Sequence, residues 1–160
     1  MQPSEPSAAV QALMQASRAF VGITARSLAA VEGDVTLPQF RTLVVLAARG
    51  PQRSVDIADE LGVNPSTGTR MLDRLIRKGL VRRTRSASDR RVVRLRLTTA
   101  GHDLVQAILD RRRTELERLV AATADLWRPV AIEALTAFAE AAGETAGDWW
   151  LGWDEGDDEP

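Results

Sequence analysis

"VDIADELGVNPSTGTRMLDRLIRKGLVRRTRSASDRRVVRLRLTTAG", Val55 to Gly101, switches period once along its length, and that switch decides the fold. At its start, "SVDIADELG" predicts a short helix capped by Ser54 and closed at Glu60 and Gly62. Serine is a strong N-cap, and glycine accepts the left-handed turn past a helix end. "VNPSTGTRMLDRLIRKG" predicts a second helix. Asn64 caps it, Pro65 takes the first position, where its missing N–H costs nothing, and Gly79 ends it. Leu72, Leu75 and Ile76 form the inward stripe with Met71 beside them, which leaves Ser66, Thr67, Thr69, Arg70 and Arg74 for the other faces. Beyond Gly79 the residues alternate instead. In "LVRRTR" and "RVVRLRLT", Val93, Leu95 and Leu97 fall on one face and Arg94 and Arg96 on the other, the pattern of half-buried strands. "SASD" between them is small and polar, as a hairpin loop requires.

Two helices followed by a basic β-hairpin form a winged helix-turn-helix. Upstream, "TLPQFRTLVVLAARG" predicts another helix, with Thr36 as cap, Pro38 in the first turn and Gly50-Pro51 as the stop. Before it, Val10, Leu13, Met14, Ala16, Phe20, Ile23 and Leu28 recur near the helical period, which predicts one long helix from Ala8 to Val31 ended by Gly33. Downstream, Thr98 caps "AGHDLVQAILDRRRTELERLVAAT", where Leu104, Ile108, Leu109, Leu116, Leu119 and Val120 make a seam interrupted by Arg111 to Arg113. "LWRPVAIEALTAFAEAAGETAGDWWLGW" supplies the last helix, with Pro129 near its start. These terminal helices are too apolar to stand against one small winged module, so they are expected to pack on the same helices of a second chain.

The expected fold class is mainly α with a small β-hairpin wing, in a single domain of 160 residues. Dimerisation helices at 8–33 and 98–152 flank a winged helix-turn-helix at 36–97. The acidic end at 153–160 reads as a solvated tail, with Trp149, Trp150 and Trp153 just before or at its start, placed to pin the last helix or a partner.

Charge is segregated. From Arg70 to Arg96 there are eleven basic residues against two acidic ones, while the rest of the chain carries ten basic and twenty acidic, so a net charge of −1 conceals a strongly cationic segment. Such asymmetry points to a polyanion-binding surface on an acidic body. The chain has no cysteine, which excludes disulfides, thiolate metal sites and thiol redox sensing. His102 is the only histidine and is expected at the surface or as a capping residue, without a catalytic role. No metal site, cofactor motif, glycine-rich phosphate loop or nucleophile motif is present, so an enzyme is not expected. Neither a secretory signal nor a membrane span is legible, and the expectation is a soluble cytoplasmic protein with no membrane partner.

A helix in the major groove needs short hydrogen-bonding residues at its N-terminal end and basic residues that reach guanine edges or phosphates. Ser66, Thr67, Thr69 and Arg70 meet that demand, and Arg74 lies further along for phosphates. Here the sequence resembles the MarR (multiple antibiotic resistance regulator) family of transcription regulators. The resemblance is carried by "S-x-x-T-R…L-x-R-x-L" in the recognition helix, "K-G-L-V-x-R" into the wing and "D-x-R…L-x-L-T-x-x-G" out of it. It implies a wing shaped by an Asp-x-Arg pair, Asp89 and Arg91, with an arginine in the minor groove. Arg90 is a substitute for that contact, and Arg94 is a further wing residue facing DNA.

The resemblance also implies a homodimer on double-stranded DNA, repressing from a near-palindromic operator and released by a small lipophilic or aromatic effector. Phe20, Phe40 and Leu43 could line an effector pocket, yet core packing explains them better. The alternative function is a protein-interaction module that uses the winged fold and the acidic, Trp-rich tail.

Overall fold

The computed structural model describes residues 5–31, 34–85 and 92–143. Along these the order is α1 (Glu5–Ala29), α2 (Leu37–Arg49), α3 (Ser54–Glu60), α4 (Pro65–Arg77), β1 (Val81–Arg85), β2 (Val93–Leu97), α5 (Thr99–Ala122), a 3-10 turn (Ala124–Leu126) and α6 (Pro129–Ala141). No helix of the described residues is long and apolar enough to cross a membrane.

Three helices start on the residues whose chemistry predicts it. Thr36 Oγ1 accepts from the Gln39 N–H while Gln39 Oε1 accepts from the Thr36 N–H, a reciprocal box that opens α2. Asn64 Oδ1 accepts from the Thr67 N–H at 2.9 Å and opens α4, and Thr98 Oγ1 accepts from the Gly101 N–H at 3.1 Å and opens α5. The start of α3 differs from expectation. Ser54 is its first helical residue and Arg53 holds the cap position without a side-chain cap bond. The Arg53 guanidinium instead grips Asp56 through two bonds of 2.8 and 2.7 Å, fixing a carboxylate in the first turn, where the helix dipole favours negative charge.

Helix ends also differ. α1 starts at Glu5, ahead of the expected Ala8, and stops at Ala29, short of the expected Val31; Gly33 lies outside the described residues. The chain must reverse into the Thr36 box, and Asp34 takes a left-handed φ of 43° to do so. α6 ends at Ala141 rather than near 152, followed by Gly143 at φ 84°, the conformation that terminates helices. Residues 144–160, with Trp149, Trp150, Trp153 and the acidic end, lie outside the described residues.

β1 and β2 pair antiparallel with Val81 opposite Leu97, Arg83 opposite Leu95 and Arg85 opposite Val93. Gln52 adds a bridge to Leu95, its N–H donating at 3.0 Å and its carbonyl accepting at 2.7 Å, so the chain before α3 joins the sheet. Leu95 and Leu97 are buried as the alternation predicts, but Val93 is 47% exposed, because none of the described residues covers that end of the strand.

The core lies between α2, α3, α4, the base of the hairpin and the first half of α5. Leu43, Ile57, Leu75 and Val105 are fully enclosed there. Gly101 permits the closest approach: a Cβ at that position would lie 2.1 Å from the Leu80 carbonyl oxygen. His102, expected at the surface, is buried, because the Thr98 cap sets it one turn before Val105 on the inward face of α5. Burial lowers its pKa below the ordinary histidine value, opposed by the nearby Asp103 carboxylate.

Candidate nucleic-acid interface

Two helices and a turn set the geometry. α3 and α4 approach so closely that a Cβ on Gly68 would come within 2.9 Å of the Ala58 Cβ. A glycine inside a helix costs about 1 kcal/mol relative to alanine, and this contact explains its presence. The signal was available in "STGT" as a helix-interior glycine. Gly68, Met71, Leu72 and Leu75 face inward, which turns Ser66, Thr67, Thr69, Arg70 and Arg74 outward, all exposed.

The N-terminal turn of α4 presents its polar atoms in order. Ser66 Oγ donates to Asn64 Oδ1 at 2.7 Å and Thr69 Oγ1 donates to the Pro65 carbonyl at 2.9 Å, so both hydroxyl oxygens retain lone pairs that can accept. Arg70 and Arg74 pair with no carboxylate of the described residues. An exposed arginine on the outward face can meet a guanine edge or a phosphate without first breaking an ion pair.

The other arginines divide. Arg83 reaches back from β1 to Asp73 of α4 at 2.7 Å, tying the hairpin to that helix. This pair was not foreseen, since only the strand register shows that Arg83 shares the core-side face with Leu95. Arg94, expected to face DNA, is exposed but donates to the Pro51 carbonyl at 3.2 Å, so it also braces the loop ahead of α3. Arg82 and Arg85 are exposed on β1 and were not singled out beforehand. In the loop before α3, the Arg53 guanidinium holds the Asp56 carboxyl below its ordinary pKa, chiefly by hydrogen bonding, with Arg94 adding a weaker attraction. Asp89, Arg90 and Arg91, expected at the wing tip, lie outside the described residues.

The pocket residues scatter. Phe40 and Leu43 belong to the enclosed core, and Phe20 is 45% exposed on α1. A cleft of about 530 Å³ lies where α1 turns into α2, lined by Val21, Ala25, Leu28, Ala29, Val31, Asp34, Val35 and Leu37. A second, of about 570 Å³, is lined by polar residues of α1 and α5 that include Arg26, Asp110, Arg111 and Glu115. Neither is lined by Phe20, Phe40 or Leu43.

Residues 35–93 match the model of the MarR family. A crystal structure of RV1404 from Mycobacterium tuberculosis superposes with a TM-score of 0.80 at 41% identity, covering 90% of this chain and 98% of that one. The chain belongs to the MarR family. Among curated relatives, the HTH-type transcriptional repressor MdtR of Bacillus subtilis is 37% identical over 84 residues, 52% of this chain and 54% of that protein. The HTH-type transcriptional regulator YfiV of the same organism is 33% identical over 85 residues, 53% of each. The chain thus spans about half the length of the curated relatives it matches.

Proposed function

We propose that this MarR-family chain is a DNA-binding transcriptional regulator, acting as a homodimer that represses from a near-palindromic operator in the cytoplasm. The observation that carries the reading is the outward face of α4, where Ser66, Thr67, Thr69 and Arg70 are exposed together at the helix N-terminus and Arg70 has no carboxylate partner among the described residues. That is the side-chain set a major-groove helix uses, with Arg70 as the base reader and Arg74 as a phosphate contact. In the wing, Asp89 shapes the tip, Arg90 and Arg91 approach the minor groove, and Arg94 stands nearer the backbone. The likeness to MdtR, itself named a repressor, supports repression over activation.

Dimerisation is supported by α6 and its neighbours. Leu126, Trp127, Val130, Ile132, Leu135 and Phe138 are all exposed, and no residue of α6 is buried within the chain. A helix that leaves Val130, Ile132, Leu135 and Phe138 exposed requires cover, and a second copy offers the same surface in return. Two recognition helices then enter successive major grooves about 10 base pairs apart. Release by a small lipophilic effector completes the proposal.

Fluorescence anisotropy on DNA from upstream of the protein's own gene tests it. Saturable binding that weakens by roughly three orders of magnitude between 50 and 200 mM salt is expected, as counterion release demands for several phosphate contacts. Absence of binding at low salt would refute the reading.

A further inference from the structure

Among the described residues, α4 and the hairpin present a face of one sign. Arg70, Arg74, Arg77 and Arg85 are exposed there, and Asp73, the one carboxylate of α4, β1 and β2, is already engaged by Arg83. Residues 86–91, which join the strands, add two arginines and one aspartate, so the sign does not depend on where they lie. No carboxylate of the described residues pairs with Arg70 or Arg74. The same chain carries the reverse composition elsewhere. Residues 144–160, which follow the last described residue, hold seven carboxylates, no basic side chain and three of the four tryptophans.

We propose that residues 144–160 dock on the outward face of α4 and the hairpin and compete with DNA for it. Carboxylates take the places of phosphates beside the arginines, and Trp149, Trp150 and Trp153 stack on guanidinium planes, an attraction that a purely acidic segment lacks. Seventeen residues reach at most about 60 Å when extended. That exceeds the roughly 36 Å of the 24-residue α5, the helix that leads from the winged half towards α6. The other exposed helices fit the segment less well. The only ionisable side chains of α6, Glu133 and Glu140, repel it, and the second half of α5 mixes Arg111, Arg113 and Arg118 with Glu115 and Glu117. The competition rests on the proposed DNA reading, whereas the docking itself does not.

The chain has no cysteine, so Gly156→Cys gives the full chain a single attachment point for a nitroxide label. Without DNA and at low salt, the label is expected to broaden the amide signals of α4 and the hairpin in nuclear magnetic resonance spectra, and saturating DNA is expected to restore them. Signals broadened only in α5 or α6, or in no element, overturn the docking. A full chain carrying Asp154→Asn, Glu155→Gln, Asp157→Asn, Asp158→Asn and Glu159→Gln is expected to bind DNA about fivefold tighter at about 50 mM salt, the gain when a face open about one-fifth of the time becomes always open. That gain should fade by about 300 mM salt, where screening releases the segment. Trp149→Ala with Trp150→Ala keeps every carboxylate and is expected to tighten DNA binding too; an unchanged affinity overturns the indole stacking. Broadening of α4 without a gain in the neutralised chain overturns the competition. Broadening of α4 in a protein that binds no DNA overturns the DNA reading and the competition with it, leaving the docking standing.

Discussion

The winged half of the chain and the flanking helices beyond it treat apolar side chains in opposite ways. In the winged half, Leu43, Leu46, Ile57, Leu72, Leu75 and Leu95 close on one another and on the first half of α5, and none of the described basic residues there is buried among them. Along α5 the environment changes within one helix: Leu104 and Ile108 are buried, Leu109 and Leu116 are half-buried, and Leu119 and Val120 are exposed. α6 continues the exposed trend to its end. One half carries its own core, and the other presents half of a core. Under the proposed homodimer, the contrast lodges stability and assembly in different parts of the sequence.

The largest effect is expected from breaking the self-sufficient half. Gly101→Ala places a methyl against the Leu80 carbonyl, a backbone atom that cannot swing aside, and should cost about 3 kcal/mol in urea denaturation. An unchanged midpoint would show that α5 does not seat as described. Next comes the half-core: Leu135→Asp with Phe138→Asp should weaken self-association by about 3 kcal/mol, giving a monomer by sedimentation while the circular dichroism of the winged half persists. Survival of the dimer would place its interface elsewhere.

Arg70→Ala should cost about 1 to 3 kcal/mol of discrimination between operator and scrambled DNA, read by anisotropy competition, with thermal stability unchanged because the side chain is exposed and unpaired among the described residues. The smallest effect concerns His102. Its folded pKa lies below the ordinary value of 6.5, so the unfolded chain binds the proton more readily. Its contribution to stability is therefore present above pH 6.5 and lost as the pH falls through the folded value. His102→Gln should flatten the Tm profile from pH 7 downward; a profile with unaltered slope would assign the acid sensitivity to other groups.

Local signals were legible wherever one residue's chemistry settles the outcome. Thr36, Asn64 and Thr98 cap helices because a short side-chain oxygen reaches the N–H it must satisfy, and that reach is a property of three or four adjacent residues. Ser54 failed as a cap because Arg53 and Asp56 claimed each other across the same turn. Val93 matched the strand alternation yet stayed exposed, since alternation names a face and says nothing of where the opposing layer ends. At the interface, the outward face of α4 was readable from period alone, whereas the engagement of Arg83 by Asp73 and of Arg94 by Pro51 depends on chain segments ten and forty-three residues away.

The sequence by itself determined the order of elements, the outward polar face of α4 and the concentration of positive charge around it, because helical period, capping and charge are local properties. Tertiary structure alone decided which arginines are committed to bracing, that Phe40 and Leu43 belong to the core, and that the cleft at the α1–α2 turn contains Asp34. Those outcomes require distant residues to meet, and burial and pairing are properties of the meeting rather than of either residue.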